Sequence, residues 1–221
     1  MIRAIAVTVA LFLLLGGCLF GAAGHLSWPI AWAVLGIYSA SKAATFAFVD
    51  PELIKERATP GQGVDRVDKL LATVGYLGLY PGTFVAAGLD AVRFGPAIPI
   101  PPSVQVTALL VFALGFGFAF WAVCSNPFFS TFVRIQDDRG HSVVSSGAYA
   151  LVRHPGYAGV LLSHLALPFA LGSIWAFVPA AVGTIFFVMR TSREDRTLQD
   201  HLVGYREYQV RVRWRLLPGV W

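Results

Sequence analysis

The chain has 221 residues, 56% of them hydrophobic and only 13% charged, with a net charge of +5 and a mean hydropathy of +0.65. That is too little charge to cover a water-soluble domain of this length, so a soluble globular protein is excluded and an integral membrane protein is expected. The basic residues are spread through loops and the C-terminal segment, a pattern of membrane topology rather than of nucleic-acid binding. Two cysteines, Cys18 and Cys124, make no disulfide framework; both lie in apolar runs and are expected as buried, inert thiols.

Taken in order, Ala4–Gly24 is an uncharged apolar run preceded by Arg3. A cleaved leader ending near Cys18 is the rival reading. The run continues past Cys18 to a full span, since about 20 residues cover the hydrocarbon core, so it is read as the first transmembrane helix. The second is expected from about Pro29 to Val49, after a short turn in which Trp28 suits an interface position. Lys42 lies within it, about two turns from its end, and is expected to snorkel to the nearby interface.

Residues 50–69 form a polar loop with a Pro60-Gly61 turn. A third helix is expected from about Leu70 to Leu89, with Pro81 as a kink and Gly78/Gly82 as a small-residue packing pair. Residues 90–102 read as a proline-rich linker. The fourth helix runs from about Val104 to Val123 and is ended by Asn126-Pro127. His154-Pro155 opens a fifth helix reaching about Leu171. After Gly172-Ser173, a sixth runs from Ile174 to about Met189. From Arg190 onward a polar, amphipathic helix is expected, carrying Leu198, Leu202, Tyr205 and Val212 at helical spacing, with Pro218-Gly219 ending regular structure.

The expected fold is therefore all-α. It is a single polytopic membrane domain over residues 1–221, with about six transmembrane helices plus a C-terminal amphipathic helix. Six spans place the N-terminus, the 50–69 loop, the 125–153 loop and the tail on one side. That side then holds every Lys and Arg except Arg93, taking Lys42 as snorkelling there. The positive-inside rule makes it the cytoplasmic side.

Two polar stretches break the apolar pattern. Residues 133–157 (VRIQDDRGHSVVSSGAYALVRHPGY) contain two small turns, around Gly140 and Gly147, where exposed amides can approach a ligand. Tyr149 and Tyr157 offer aromatic faces for a purine, and His154 offers a hydrogen bond; a solvated loop reads equally well from these elements singly. In the second stretch, RTSREDRTL, Arg190 and Glu194 are four apart and share a helix face. From spacing alone, a weak surface ion pair and a functional pair, with a cation toward an anionic substrate and a carboxylate toward a cationic cofactor, are equally good readings. The scattered histidines show no metal-ligand spacing.

In order, Gly147-x-Tyr149, Arg153-His154-Pro155-x-Tyr157, Glu194-Asp195-x-x-Leu198 and Gly204-x-x-x-Tyr208 resemble the isoprenylcysteine carboxyl methyltransferase family, and in part related membrane methyltransferases that include phospholipid N-methyltransferases. The resemblance spans roughly residues 133–218. It implies a membrane methyltransferase using S-adenosylmethionine, with residues 1–124 as transmembrane scaffold and 125–221 as the cofactor-binding catalytic part. Carried over by position, Gln136, His141, Ser142, Val143, Val144, Tyr149, His154, Pro155, Gly156, Tyr157 and Glu194 would contact the cofactor. Arg190 would face the substrate, and Arg190 and Glu194 would be the catalytic pair. The chain departs from the family's Glu-Glu pair in having Asp195 second, which touches a supporting role.

The implied partner is a lipophilic or lipidated acceptor entering from the bilayer, with a carboxylate as acceptor group. Composition rich in Arg, Ala and Gly hints at a GC-rich bacterial genome and an inner membrane, where a prenylated protein is a doubtful substrate. The alternative is an NADPH-dependent enzyme like the membrane sterol reductases, which carry a similar Arg-His-Pro-x-Tyr region.

Overall fold

The computed structural model describes residues 2–59 and 65–221, with residues 2–4 given by their backbone alone. The expected Pro60-Gly61 turn lies outside the described residues. No strand occurs among the described residues; the elements are helices and short turns.

Helix α1 is Ile2–Ala23 and α2 is Pro29–Phe48, with Pro29 in the first turn, where its missing N–H costs nothing. The short α3, Pro51–Ala58, is capped by the Asp50 side chain, which accepts from the Glu52 N–H (2.7 Å). In the same way the Asp65 side chain accepts from Val67 N–H (3.1 Å) and starts α4, Arg66–Leu77.

The helix then widens into a π turn over Gly78–Gly82, where Pro81 cannot supply its N–H. Thr83 Oγ1 donates to the Gly78 carbonyl there (2.9 Å). Helix α5, Thr83–Ala87, and a second π turn, Gly88–Arg93, continue the same rod. Next come α6, Pro102–Ser125, and α7, Pro155–Leu171, the latter ended by Gly172 at φ 75°. Helix α8 is Phe177–His201, and α9, Tyr205–Arg211, follows Gly204 at φ 82°.

Among the described residues, four segments are long and apolar enough to cross a membrane: Ile5–Ala23, Pro29–Phe48, Arg66–Arg93 and Pro102–Ser125. Pro155–Leu171 is apolar but shorter, at 17 residues.

Close backbone contacts fix the bundle. A Cβ on Gly159 would lie 2.5 Å from the Gly115 carbonyl oxygen, so α6 and α7 cross backbone to backbone. A Cβ on Gly78 would lie 2.7 Å from the Pro179 oxygen, and one on Gly183 would lie 2.8 Å from the Gly75 oxygen, which presses α4 onto α8. Small residues at crossings are how membrane helices gain dispersion energy where lipid competes for apolar surface.

At one end, the Asp90 carboxylate accepts from Ser173 Oγ (2.7 Å) and Ala97 N–H (2.9 Å), tying the turn after α7 to the segment after the second π turn. Arg93 lies against Gly24 at that same end. The opposite end gathers α3, residues 126–154, the polar half of α8, α9 and the tail.

Several expectations need correction. The third helix begins at Arg66 and runs to Arg93, so Asp90 belongs to a helical turn and not to a linker. No boundary falls at Met189: α8 carries straight through Arg190 to His201, because nothing in that stretch breaks a helix. The chain turns only at Gly204, and α9 packs on the 143–149 loop through Tyr205 and Tyr208. Helical structure ends at Arg211, before Pro218. Neither cysteine is buried: Cys18 is half-buried and Cys124 exposed. Lys42 lies one turn beyond the buried stripe Ala31, Val34, Leu35, Tyr38 of α2, with its ammonium over the Tyr38 ring (5.2 Å). It therefore faces the bundle.

Candidate active site

Two carboxylates organise the polar end. Asp195, with no exposed surface, accepts at Oδ1 from Arg153 Nε (2.9 Å) and Tyr205 OH (2.9 Å), with His154 Nε2 at 3.0 Å. At Oδ2 it accepts from Arg153 Nη2 (3.0 Å), Arg215 Nε (2.8 Å) and Gln199 Nε2 (3.0 Å). Burial alone would raise this carboxyl, but hydrogen bonds from His154, Arg153 and Arg215 outweigh it and hold the group far below the usual carboxylate range. The backbone completes the knot: Arg153 N–H donates to the Trp214 carbonyl and His154 N–H to that of Arg215, both at 2.9 Å. Asp195 thus pins the start of α7, α9 and the tail to α8.

Asp68 is the second. It is 2% exposed and grips Arg190 with both oxygens, Nε to Oδ1 at 2.7 Å and Nη2 to Oδ2 at 3.1 Å. Oδ2 also accepts from Val133 N–H (2.9 Å), and Arg190 Nη2 donates to the Thr131 carbonyl (2.6 Å). Arg190 lies over the Tyr157 ring at 5.4 Å, and Tyr157 OH donates to Glu194 Oε2 at 2.5 Å. The Arg190–Glu194 ion pair, one of the two readings of their spacing, is not made; the phenol of Tyr157 stands between their roles. Nη1 of Arg190 and Oε1 of Glu194 have no hydrogen-bond partner among the described residues.

The loop before α7 is clamped from α3. Arg57 Nη1 donates to the Phe129 carbonyl (3.1 Å) and its guanidinium covers the Phe129 ring (4.8 Å). Thr131 Oγ1 donates to the Arg57 carbonyl (2.8 Å), and Arg134 Nε to Glu56 (2.8 Å). Burial pushes the Arg57 guanidinium down from its ordinary range; the phenols of Tyr76, Tyr149 and Tyr157 oppose this, and the Arg190 cation reinforces it. These residues therefore lie within electrostatic reach of one another.

The structure brings Tyr149, His154, Pro155, Gly156, Tyr157, Arg190 and Glu194 to one end of α7 and α8. Of these, His154 is 5% exposed and committed to Asp195. Gly156 is covered by the Phe129 ring, which a Cβ would meet at 2.5 Å. Tyr149 is buried, and its carbonyl accepts from Tyr208 OH (2.7 Å).

Gln136 and His141 form a separate knot. Gln136 is fully buried, donates to the Phe128 carbonyl (2.6 Å) and accepts from Arg139 (2.6 Å), and its N–H donates to His141 Nδ1 (3.3 Å). Burial, chiefly, pushes the His141 imidazole down. Val143 and Val144 pack against the Tyr149–Tyr205–Tyr208 cluster, and Ser142 is exposed.

Sequence reasoning missed Asp68, Arg57 and the central place of Asp195. Asp68 shares a face with Leu71, Ala72 and Gly75, all buried, and Arg57 shares one with buried Leu53 and Ile54. That spacing was the available signal.

Residues 104–203 match the phospholipid methyltransferase family model. The match takes in both polar stretches and stops just before Gly204. Over 100 residues, 44% of the chain, the sequence is 32% identical to Delta(14)-sterol reductase TM7SF2 of Mus musculus. The aligned part is 24% of that protein, so the chain spans about a quarter of the length of the curated relative. The match covers less than half of the chain, and the apolar helices point to a lipid environment.

Proposed function

We propose that this protein is an integral membrane methyltransferase that uses S-adenosylmethionine to methylate a lipophilic acceptor, most simply at a carboxylate, as in the isoprenylcysteine carboxyl methyltransferases. The observation that carries this reading is the convergence of Tyr157, Arg190 and Glu194, within the segment matched to the methyltransferase family. The cofactor fits the residues present: the free Oε1 of Glu194 is a hydrogen-bond acceptor of the right charge for an ammonium. When bound, the cofactor supplies a methyl group made electrophilic by its sulfonium.

The chain's own work is then binding and alignment. Glu194, held by Tyr157 OH, is the counter-charge for the cofactor. Loop residues 136–144, with Tyr149 and residues 154–157, form its surroundings. A carboxylate acceptor is ionised at neutral pH and needs no general base. Arg190 orients it, but its fork is already closed on Asp68, so a single donor, Nη1, is left for the acceptor. Asp68 and Arg57 belong to the proposed scaffold part, residues 1–124, and both reach the catalytic part, residues 125–221.

In this reading α7 and the apolar half of α8 complete six spans. The basic loops face the cytoplasm, from which the cofactor enters, while the acceptor comes sideways from a bacterial inner membrane.

The test is calorimetric titration of the detergent-solubilised protein with S-adenosylhomocysteine, with NADPH in parallel. Saturable binding of the first, lost in Glu194→Gln, is the expected result. The identity shared with a sterol reductase favours the second reading, a reductase, and binding of NADPH alone would establish it.

A further inference from the structure

Among the described residues, the half-buried cations Arg57 and Lys42 make no ion pair. Arg57 is half-buried; its Nη1 is used by the Phe129 carbonyl, while Nε and Nη2 have no hydrogen-bond partner and the side chain no ion pair among the described residues. Lys42 is also half-buried, follows the inward stripe of α2, and meets only the face of the Tyr38 ring. The two charges lie within electrostatic reach of each other, and Lys42 within reach of His164. By contrast, four buried or half-buried arginines around the site are ion-paired: Arg190 to Asp68, Arg153 and Arg215 to Asp195, and Arg134 to Glu56.

Buried charges are paired in folded proteins, and an ionisable residue that faces the interior of a membrane bundle marks a path for substrate. Two like charges in electrostatic reach of one another, with donors that have no hydrogen-bond partner among the described residues, attract an anion. The aromatic chain Tyr38–Tyr80–Tyr76–Phe187–Tyr157, with ring centroids 6.0, 5.9, 5.0 and 5.7 Å apart, runs from Lys42 to the Tyr157 site. It is a continuous run of packed rings between the two.

We propose that Arg57 and Lys42 form an anion-binding cleft that takes a second acidic group of the lipid-soluble acceptor, a carboxylate or phosphate apart from the group that Arg190 orients. Arg57 supplies directional donors and Lys42 a point charge deeper in the span. The cleft is distinct from Arg190, whose charge Asp68 already neutralises. The assignment rests on the methyltransferase reading only in calling the occupant the methyl acceptor.

The test uses the full chain in a neutral maltoside micelle. The probes are oleate and 1-oleoyl lysophosphatidate, with methyl oleate as the uncharged control and inorganic phosphate as the chain-free anion. Affinities are measured for the wild type, Arg57→Gln, Lys42→Gln and Arg57→Lys, each also titrated with S-adenosylhomocysteine.

The expected result is saturable binding of at least one acidic lipid, weakened tenfold or more in both Gln variants and partly kept in Arg57→Lys. Methyl oleate binds alike to all four, and Lys42→Gln leaves S-adenosylhomocysteine affinity unchanged. Binding of neither acidic lipid by the wild type, or equal affinity in the Gln variants, overturns the cleft. Displacement of the bound lipid by inorganic phosphate at equal concentration overturns the lipid source and leaves a site for a free anion. Charge-dependent lipid binding without any S-adenosylhomocysteine binding supports the cleft and overturns the methyltransferase reading instead.

Discussion

Glu194 and Asp195 are neighbours in sequence whose carboxylates serve opposite purposes. Successive residues of an α-helix point roughly 100° apart. That turn takes Glu194, half-buried, to the hydroxyl of Tyr157 and its next-door Asp195 into a fully buried knot of arginines. One carboxylate leaves an oxygen without a hydrogen-bond partner among the described residues; the other spends both on the protein.

Exchanging each for its amide therefore gives two different failures. Asp195→Asn leaves Arg153 and Arg215 without their counter-charge in a buried setting, a loss of about 3–5 kcal/mol when one partner of a buried pair is removed. It is expected to lower the thermal unfolding midpoint strongly. Glu194→Gln keeps the fold and the Tyr157 contact, and is expected to weaken S-adenosylhomocysteine binding at least tenfold. Unfolding monitored by circular dichroism, with calorimetry on the same samples, separates the two. Equal effects of both variants on stability would refute the division.

The pH dependence follows from Asp195. Its carboxyl is held well below the usual range in the folded protein, so its contribution to stability is fully present above the unfolded value of about 4. As pH falls below about 4, the unfolded state takes up the proton first, and the contribution shrinks by about 1.4 kcal/mol per pH unit until the folded group protonates. The wild-type midpoint is expected to drop steeply between pH 4 and strongly acidic solution. Asp195→Asn, lacking that proton, shows a shallower acid limb.

Asp68 makes a related prediction across the two parts of the chain. Asp68→Asn keeps the shape but removes the charge opposite Arg190, and weakens the link that holds residues 131–133 against α4. It is expected to lower the unfolding midpoint, and to reduce turnover more than cofactor affinity, because Glu194 and Tyr157 are untouched. A variant that loses cofactor binding while remaining as stable as the wild type would contradict this arrangement.

The apolar runs announced most helices within a few residues, because span length and hydropathy are one-dimensional properties. Phe177–His201 was different: its change from apolar to polar at Arg190 looks like an end, yet no glycine or proline follows Arg190 until Gly204. Polarity marks where a helix leaves the membrane, not where it stops. The motif residues Tyr157, Arg190 and Glu194 were readable as a group. Their partners were not, since Asp68 and Arg57 come from more than 100 positions upstream of α8 and look like ordinary members of a charged loop. Only tertiary packing turns them inward.

The helix crossings offer a test of the bundle itself that is independent of any ligand. A methyl group on Gly159 would collide with the Gly115 oxygen at 2.5 Å and the Ala119 nitrogen at 2.6 Å, both backbone atoms with no rotamer to yield. Relief requires α6 and α7 to separate, and overpacking of this kind costs about 1–3 kcal/mol. Gly117, on α6 as well, has nothing within 4 Å of its added Cβ. There alanine only restricts the unfolded chain and improves helix propensity, a gain of up to about 1 kcal/mol. Gly159→Ala is accordingly expected to lower the unfolding midpoint in detergent, while Gly117→Ala leaves it unchanged or raises it. Because α7 begins at His154-Pro155, separation of the helices also shifts Tyr157 relative to Glu194, so Gly159→Ala should weaken S-adenosylhomocysteine binding while Gly117→Ala does not. Equal behaviour of the two variants would mean that α6 and α7 do not cross at these glycines.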